Sequence, residues 1–190
     1  MSVLELPEFI SPDPSLRQRV KELSGHNVSA CFQCEKCTNG CPVSFAMDIV
    51  PHKVMRLVQL GLKDEVLRSD TIWLCASCET CSTRCPNGID IAHIMDTLRQ
   101  MSQREGIKAS QPDVPIFHNS FLASMKRHGR VHEMSMVVTF LLKSQGIRGL
   151  LNYTGMGLDM MRKGKIILLP SPLRANSQVR KIFNRVKERA

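Results

Sequence analysis

The chain of 190 residues is long enough for one domain with a hydrophobic core and helical extensions, and it leaves no room for a second large catalytic domain. Its composition is 43% hydrophobic but only 5% aromatic, with 11 Met, which favours packed helices over a β-sandwich. The formal net charge of +9 keeps nucleic acid in consideration as a partner.

Residues 1–20 predict no signal peptide, because proline and charged residues interrupt any continuous apolar stretch. We therefore expect a cytoplasmic protein. The most apolar later stretch, residues 134–142, is far shorter than the ~20 residues that a membrane-spanning helix needs. No direct insertion into a membrane is expected.

Helical patterns alternate with two cysteine-rich runs in the first half of the chain. A helix is predicted at residues 13–25, a second starts at Pro51, and a short one follows at residues 64–68. The clearest helix is expected to be capped by Asp90 and closed by Gly106. Its apolar stripe comprises Ile91, Ile94, Met95, Leu98 and Met101.

The second half of the chain is predicted to begin with a linker at residues 110–115, which contain two prolines. Three helical patterns follow, at residues 120–128, 133–145 and 176–189. The stretch between the last two patterns is expected to be interrupted by Gly155, Gly157, Gly164, Pro170 and Pro172. We therefore predict a cysteine-bearing domain at residues 1–109 and a helical C-terminal extension at residues 110–190.

All eight cysteines lie in two copies of one motif, and the second copy begins 44 residues after the first. The first copy comprises Cys31, Cys34, Cys37 and Cys41, followed by Pro42, and the second comprises Cys75, Cys78, Cys81 and Cys85, followed by Pro86. In a reducing cytoplasm, thiols in such regular groups favour metal binding over disulfides.

The C-x2-C-x2-C-x3-C-P spacing is typical of bacterial ferredoxins, in which the last cysteine of each run binds the other of two clusters. We therefore predict two [4Fe–4S] clusters with crossed ligation, close enough together to relay electrons. One set of predicted ligands is Cys31, Cys34, Cys37 and Cys85, and the other is Cys75, Cys78, Cys81 and Cys41. The two clusters would lower the net charge by about four units, so nucleic acid is not the expected partner.

Two other classes of protein stay open at this point. Paired C-x-x-C units also build zinc ribbons, so a zinc-stabilised nucleic-acid-binding module is one alternative. A third cysteine at the same spacing has no purpose in a four-cysteine zinc site. The other alternative is a redox-sensing regulator. His52 and His93 follow the two runs, but the eight cysteines already fill the ligand positions, and no catalytic residue is predicted.

The spacer between the cysteine runs is helical, and at this point the chain resembles the α-helical ferredoxins. Within that family it is similar to the small C subunit of heterodisulfide reductase in size, in its two runs and in the segment from His128 to Glu133. The resemblance implies a mainly α fold, an α-helical ferredoxin with two cluster-binding loops and a C-terminal helical extension. It covers roughly the whole chain.

The resemblance also implies a function, that of a non-catalytic electron-transfer subunit in a cytoplasmic oxidoreductase complex. A flavin-bearing subunit that also holds iron–sulfur clusters would donate electrons, and a separate catalytic subunit would reduce the heterodisulfide of coenzymes M and B. The alternative is the iron–sulfur subunit of a related complex with another substrate, or of a succinate/fumarate or glycerol-3-phosphate enzyme. Residues 162–190 hold nine Lys or Arg against one acid, which predicts either a solvated helix face or a docking surface for an acidic partner.

Overall fold

The computed structural model describes residues 12–165 and 176–189. The chain separates into two compact units, Met1–Gln111 and Pro112–Ala190. The described residues form helices and turns with no β-strand, so the predicted mainly α fold is confirmed. The sequence predicted a cysteine-bearing domain at residues 1–109 and a helical extension at residues 110–190. That division into functional domains stays a prediction.

The helices of the described residues are short and closely spaced along the chain. In the first unit they are α1 (Ser15–Ser24), α2 (Lys36–Asn39), α3 (Pro51–Leu60), α4 (Lys63–Arg68), α5 (Thr71–Leu74), α6 (Thr80–Arg84) and α7 (Ile91–Arg104). In the second unit they are α8 (Asp113–His128), α9 (Glu133–Ser144), α10 (Gly146–Asn152), α11 (Thr154–Arg162) and α12 (Asn176–Arg189).

The core of the first unit forms where α7 packs against α1, α4 and α5, and α3 packs against α1 and α4. Its fully buried side chains include Leu16, Val20, Val54, Met55, Val58, Val66, Leu67, Ile94 and Leu98. Burial of each such side chain contributes roughly 1.5–3 kcal/mol relative to exposure. The predicted apolar stripe of α7 is confirmed, because all five of its side chains are at most 3% exposed. The helix is therefore the central element of this unit.

Asp90 caps α7 as predicted and also holds the second cysteine run in place. Its Oδ1 atom accepts hydrogen bonds from the backbone N–H of His93 at 2.9 Å and from Ser82 Oγ at 2.7 Å. Ser82 lies on α6, within the second run, and its Oγ also accepts from the N–H of Ala92 at 3.2 Å. The N-terminus of α7 is thus fixed against the loop that carries the cysteines.

Gly61 ends α3 at a close approach between two backbone segments. Its φ of +76° lies in the left-handed region, and its carbonyl accepts a hydrogen bond from the N–H of Asp13 at 2.7 Å. A Cβ atom at this position would lie 2.5 Å from the carbonyl oxygen of Asp13. Both the backbone conformation and the space therefore require glycine.

We expect Gly61→Ala to lower the free energy of unfolding by about 3 kcal/mol, because left-handed strain adds to a backbone clash. Gly25→Ala is the matched control, since Gly25 has a φ of +74° with no heavy atom within 4 Å of a Cβ atom. That control should lose only about 1 kcal/mol from strain. Denaturant unfolding of both variants measures the difference, and equal losses would contradict the importance of the close approach.

The second unit departs from its sequence pattern in two places. Helix α8 begins at Asp113, so the predicted linker at 110–115 ends early. Pro115 lies in the first turn of this helix. Proline is tolerated there because a backbone N–H in the first turn makes no hydrogen bond within the helix. Helix α11 runs through Gly155 and Gly157, which were expected to interrupt the chain. Gly164 follows the end of α11 with a φ of +63°, as expected of a break. The other expected breaks, Pro170 and Pro172, lie outside the described residues. The predicted helix at 176–189 is confirmed.

The second unit buries little apolar surface in its described residues. Helix α9 packs against α8 and α10, and α8 packs against α12. Among the described side chains of this unit, Leu141 is the one large apolar residue that is buried. By contrast, Ile147, Leu151, Met156 and Leu158 on α10 and α11 are more than half exposed.

None of the helices in the described part of the chain has the length and apolar character needed to span a bilayer.

Candidate metal centres

The two cysteine runs fold into loops with the same backbone conformation. Gln33 and Glu35 in the first run, and Ser77 and Glu79 in the second, have φ values of 50–63°, and among the described residues no other non-glycine residue has a positive φ. In each run the two strained residues flank the second cysteine. Left-handed residues cost about 1–2 kcal/mol each, and they turn successive N–H groups into concave sites that bind anions and iron–sulfur clusters.

The cysteines line two neighbouring cavities. One of them, called here the second-run cavity, contains three cysteines of the second run and one cysteine of the first run. Its cysteines are Cys41, Cys75, Cys78 and Cys81. It has an empty volume of about 370 Å³ that includes open solvent. The rest of its lining is apolar and comprises Val43, Met47, Pro51, Ala76, Ile91, Ala92 and Met95.

The other cavity, called here the first-run cavity, has the reciprocal composition. Its cysteines are Cys31, Cys34, Cys37 and Cys85, around an empty volume of about 290 Å³ that also includes open solvent. The remaining lining is more polar and comprises Gln33, Glu35, Lys36, His52, Ile89 and Ile91. The structure thus gathers all eight cysteines into the two sets named by the crossed-ligation prediction. Ligation itself stays a prediction.

Hydrogen bonds reach the cysteine sulfurs in both cavities. Gln33 Nε2 donates to Cys31 Sγ at 3.3 Å, and Cys78 Sγ donates to Thr80 Oγ1 at 3.5 Å. A donor such as the Gln33 amide stabilises negative charge on sulfur, which raises the reduction potential of an iron–sulfur cluster.

Burial and hydrogen bonding shift the pKa values of four of the cysteine thiols. Burial raises the pKa of Cys37 and Cys75, and it raises the pKa of Cys81 to about 11. The hydrogen bond with Thr80 instead lowers the pKa of Cys78. Because the thiolate is the metal ligand, the buried thiols must release protons when a metal binds.

The residues present fit a [4Fe–4S] cluster in each cavity. Each cavity offers four cysteine sulfurs, the ligand set that such a cluster requires, within loops suited to negative charge. Within residues 12–165 and 176–189, no three His, Cys, Asp or Glu side chains lie close enough to hold a single metal ion.

His52 lies at the first-run cavity in a supporting position that sequence reasoning missed. Its Nδ1 atom is 2.8 Å from Thr38 Oγ1, which also accepts from the His52 backbone N–H at 3.1 Å. Its Nε2 atom lies 3.7 Å from Glu35 Oε1. These contacts join α3 to the loop of the first run. His93, by contrast, packs edge-on against His26 and lines neither cavity.

Asp48 is another supporting residue that has no signal in the sequence. Its carboxylate accepts hydrogen bonds from the backbone N–H groups of Asp70 at 2.9 Å and Thr71 at 3.0 Å, and from Thr71 Oγ1 at 2.7 Å. Burial alone would raise the pKa of Asp48, but these hydrogen bonds outweigh burial and lower the pKa. A residue between the runs thereby caps α5, the helix that leads into Cys75.

Two amides tie the cysteine runs to the rest of the unit. Gln59 Nε2 on α3 donates to the carbonyl oxygens of Val28 at 3.0 Å and Cys31 at 2.8 Å. Asn87, just after the second run, donates through Nδ2 to the carbonyl oxygen of Ala30. The start of the first run is therefore held by both α3 and the end of the second run.

The cysteine-bearing region resembles a known protein family. Residues 30–90 match the family model of the 4Fe-4S dicluster domain. This match covers both cysteine runs and about a third of the chain.

Curated relatives carry the name that the family resemblance implied. The chain is 36% identical over 104 residues to the iron-sulfur C subunit of CoB–CoM heterodisulfide reductase from Methanopyrus kandleri, covering 54% of each chain. It is 44% identical over 80 residues to the second C subunit of the same enzyme in Methanocaldococcus jannaschii, covering 42% of each. It is 33% identical over 88 residues to the C subunit of ferredoxin:CoB-CoM heterodisulfide reductase from Methanosarcina mazei, covering 46% of this chain and 54% of that protein.

The predicted resemblance to the C subunit of heterodisulfide reductase is therefore confirmed over about half of this chain, and not over the whole chain as expected. The chain spans about half the length of the curated relatives it matches.

Proposed function

We propose that this chain holds two [4Fe–4S] clusters and transfers electrons as a non-catalytic subunit of a heterodisulfide reductase complex in the cytoplasm. The supporting observation is the division of eight cysteines between two cavities, each with three from one run and one from the other. The second-run cavity would hold one cluster through Cys41, Cys75, Cys78 and Cys81. The first-run cavity would hold the other through Cys31, Cys34, Cys37 and Cys85.

When bound, each cluster would supply the ability to accept and release one electron. The chain's own residues supply position and environment. Left-handed residues give both cysteine loops a backbone conformation suited to negative charge, and Asp48 and Asp90 fix the helices that flank the second run. Crossed ligation would keep the two clusters close together. This arrangement favours transfer between them over chemistry on a substrate.

The partners in the proposed complex are a flavin-bearing subunit with iron–sulfur clusters of its own, as electron donor, and a catalytic subunit. The second unit is the proposed docking extension, because its described residues leave large apolar side chains exposed on α10 and α11. Helix α12 adds the exposed basic residues Arg180, Lys181 and Arg185. Exposed apolar and basic side chains suit a partner that has apolar surface and an acidic rim.

Anaerobic purification tests this function directly. We expect a brown protein with about eight irons per chain and broad visible absorption. Zinc at about two ions per chain, with no visible absorption, would instead identify the zinc-stabilised alternative. Identification of the chains that co-purify separates a heterodisulfide reductase from a related complex with another substrate.

A further inference from the structure

A buried arginine lies behind the second-run cavity. The side chain of Arg99, on α7, is only 9% exposed. Its Nη2 atom donates to Ser77 Oγ at 3.3 Å and lies 3.5 Å from Asp96 Oδ1. Its Nε atom is buried with no hydrogen-bond partner. The Asp96 side chain is half exposed, so much of its charge is screened by water.

The position of Arg99 directs its charge toward the cysteines of the second run. Met95 lines the second-run cavity, and Arg99 follows it by four residues, so both lie on the same face of α7. Ser77, its hydrogen-bond partner, belongs to the strained loop between Cys75 and Cys78. Arg99 also lies close enough to Cys75 for its positive charge to act on that sulfur.

The first run has no such buried cation among the described residues. The residue 44 positions before Arg99 is Met55, which is fully buried and carries no charge. The cation that lines the first-run cavity is Lys36, and that side chain is exposed. The helix that follows the second run, α7, therefore carries a buried positive charge at Arg99. The helix that follows the first run, α3, has the uncharged Met55 at the corresponding position.

We infer that Arg99 is a positioning residue that raises the reduction potential of the cluster bound by Cys41, Cys75, Cys78 and Cys81. This inference rests on the proposed function. One electron entering such a site, from the neighbouring cluster or an added reductant, changes the total charge of core and thiolates from about −2 to about −3. A fixed positive charge in an apolar environment stabilises the more negative form.

Redox titration of the anaerobically purified chain, followed by electron paramagnetic resonance, tests the inference. Arg99→Met gives position 99 the same residue as the corresponding position 55. We expect it to lower the equilibrium constant for reduction of the second-run cluster about tenfold, which is a negative shift of about 59 mV in the reduction potential for one electron. The first-run cluster should keep its potential. Arg99→Lys retains the charge and should titrate close to the original protein.

Arg104→Met is the matched control, because Arg104 lies on the same helix, carries the same charge and is exposed. It should shift neither potential. A loaded Arg99→Met protein with unchanged potentials, or with both potentials shifted equally, would overturn the inference.

Arg99→Gln removes the charge but keeps a donor for Ser77, so it covers the case in which Arg99→Met does not assemble. The same negative shift in Arg99→Gln supports the inference. If both neutral variants lose the second-run cluster while Arg99→Lys keeps it, the residue acts in assembly and the inference is overturned. Absence of any iron–sulfur signal from the original protein would mean instead that the proposed function is wrong.

Discussion

Replacing Cys41 with alanine should remove the cluster bound by Cys75, Cys78 and Cys81 and leave the other cluster in place. Iron content is expected to fall from about eight to about four atoms per chain. The reason is that Cys41 shares a cavity with those three cysteines although it belongs to the first run in sequence. Iron determination together with Mössbauer spectroscopy measures the loss.

Cys85→Ala is the matched variant, since Cys85 occupies the reciprocal position in the first-run cavity. It should remove the cluster bound by Cys31, Cys34 and Cys37. The spectra of the two variants should therefore be complementary, each retaining the signal that the other loses. If Cys41→Ala lost the cluster of the first run instead, the crossed assignment would be wrong.

The purified chain on its own should exchange electrons with a reduced dye but leave a heterodisulfide unreduced. The proposed function uses all eight thiols for cluster binding, which would leave no cysteine to attack a disulfide. Addition of the partner subunits should raise the rate of heterodisulfide reduction by a factor on the order of 10² or more, since the catalytic groups are then present. Oxidation of a reduced viologen dye in both samples gives the rates.

The same assay tests the proposed docking surface. Changing Arg180, Lys181 and Arg185 to Glu should weaken the activation by partner subunits, because the exposed charges of α12 are reversed. The control variant changes Arg17, Lys21 and Arg104, exposed basic residues of the first unit, to Glu. Both variants should keep their iron.

Two results would contradict this account of the relay. Heterodisulfide turnover by the isolated chain at the rate of the complex would falsify the absence of a substrate site. Equal activation of both charge-reversed variants would show that α12 takes no specific part in docking.

Local patterns in the sequence were sufficient for the metal-binding motif and for most helices. The spacing of the cysteines depends on how one loop wraps one cluster, and Asp90 caps its helix through a residue only three positions away. Likewise, the buried stripe of α7 follows from the 3.6-residue period of a helix. Such features depend on residues that are close together in the sequence, so they can be predicted from one sequence.

The tertiary structure alone decided which polar residues support the site. Asp48 reaches Thr71 across 23 residues, and Arg99 reaches Ser77 across 22, contacts that no local spacing indicates. The helix through Gly155 and Gly157 likewise departs from the intrinsic preference of glycine. The physical reason is that a buried charge or amide is placed by the packing of distant helices. The same aspartate or arginine on a solvent-facing position would leave an identical local pattern in the sequence.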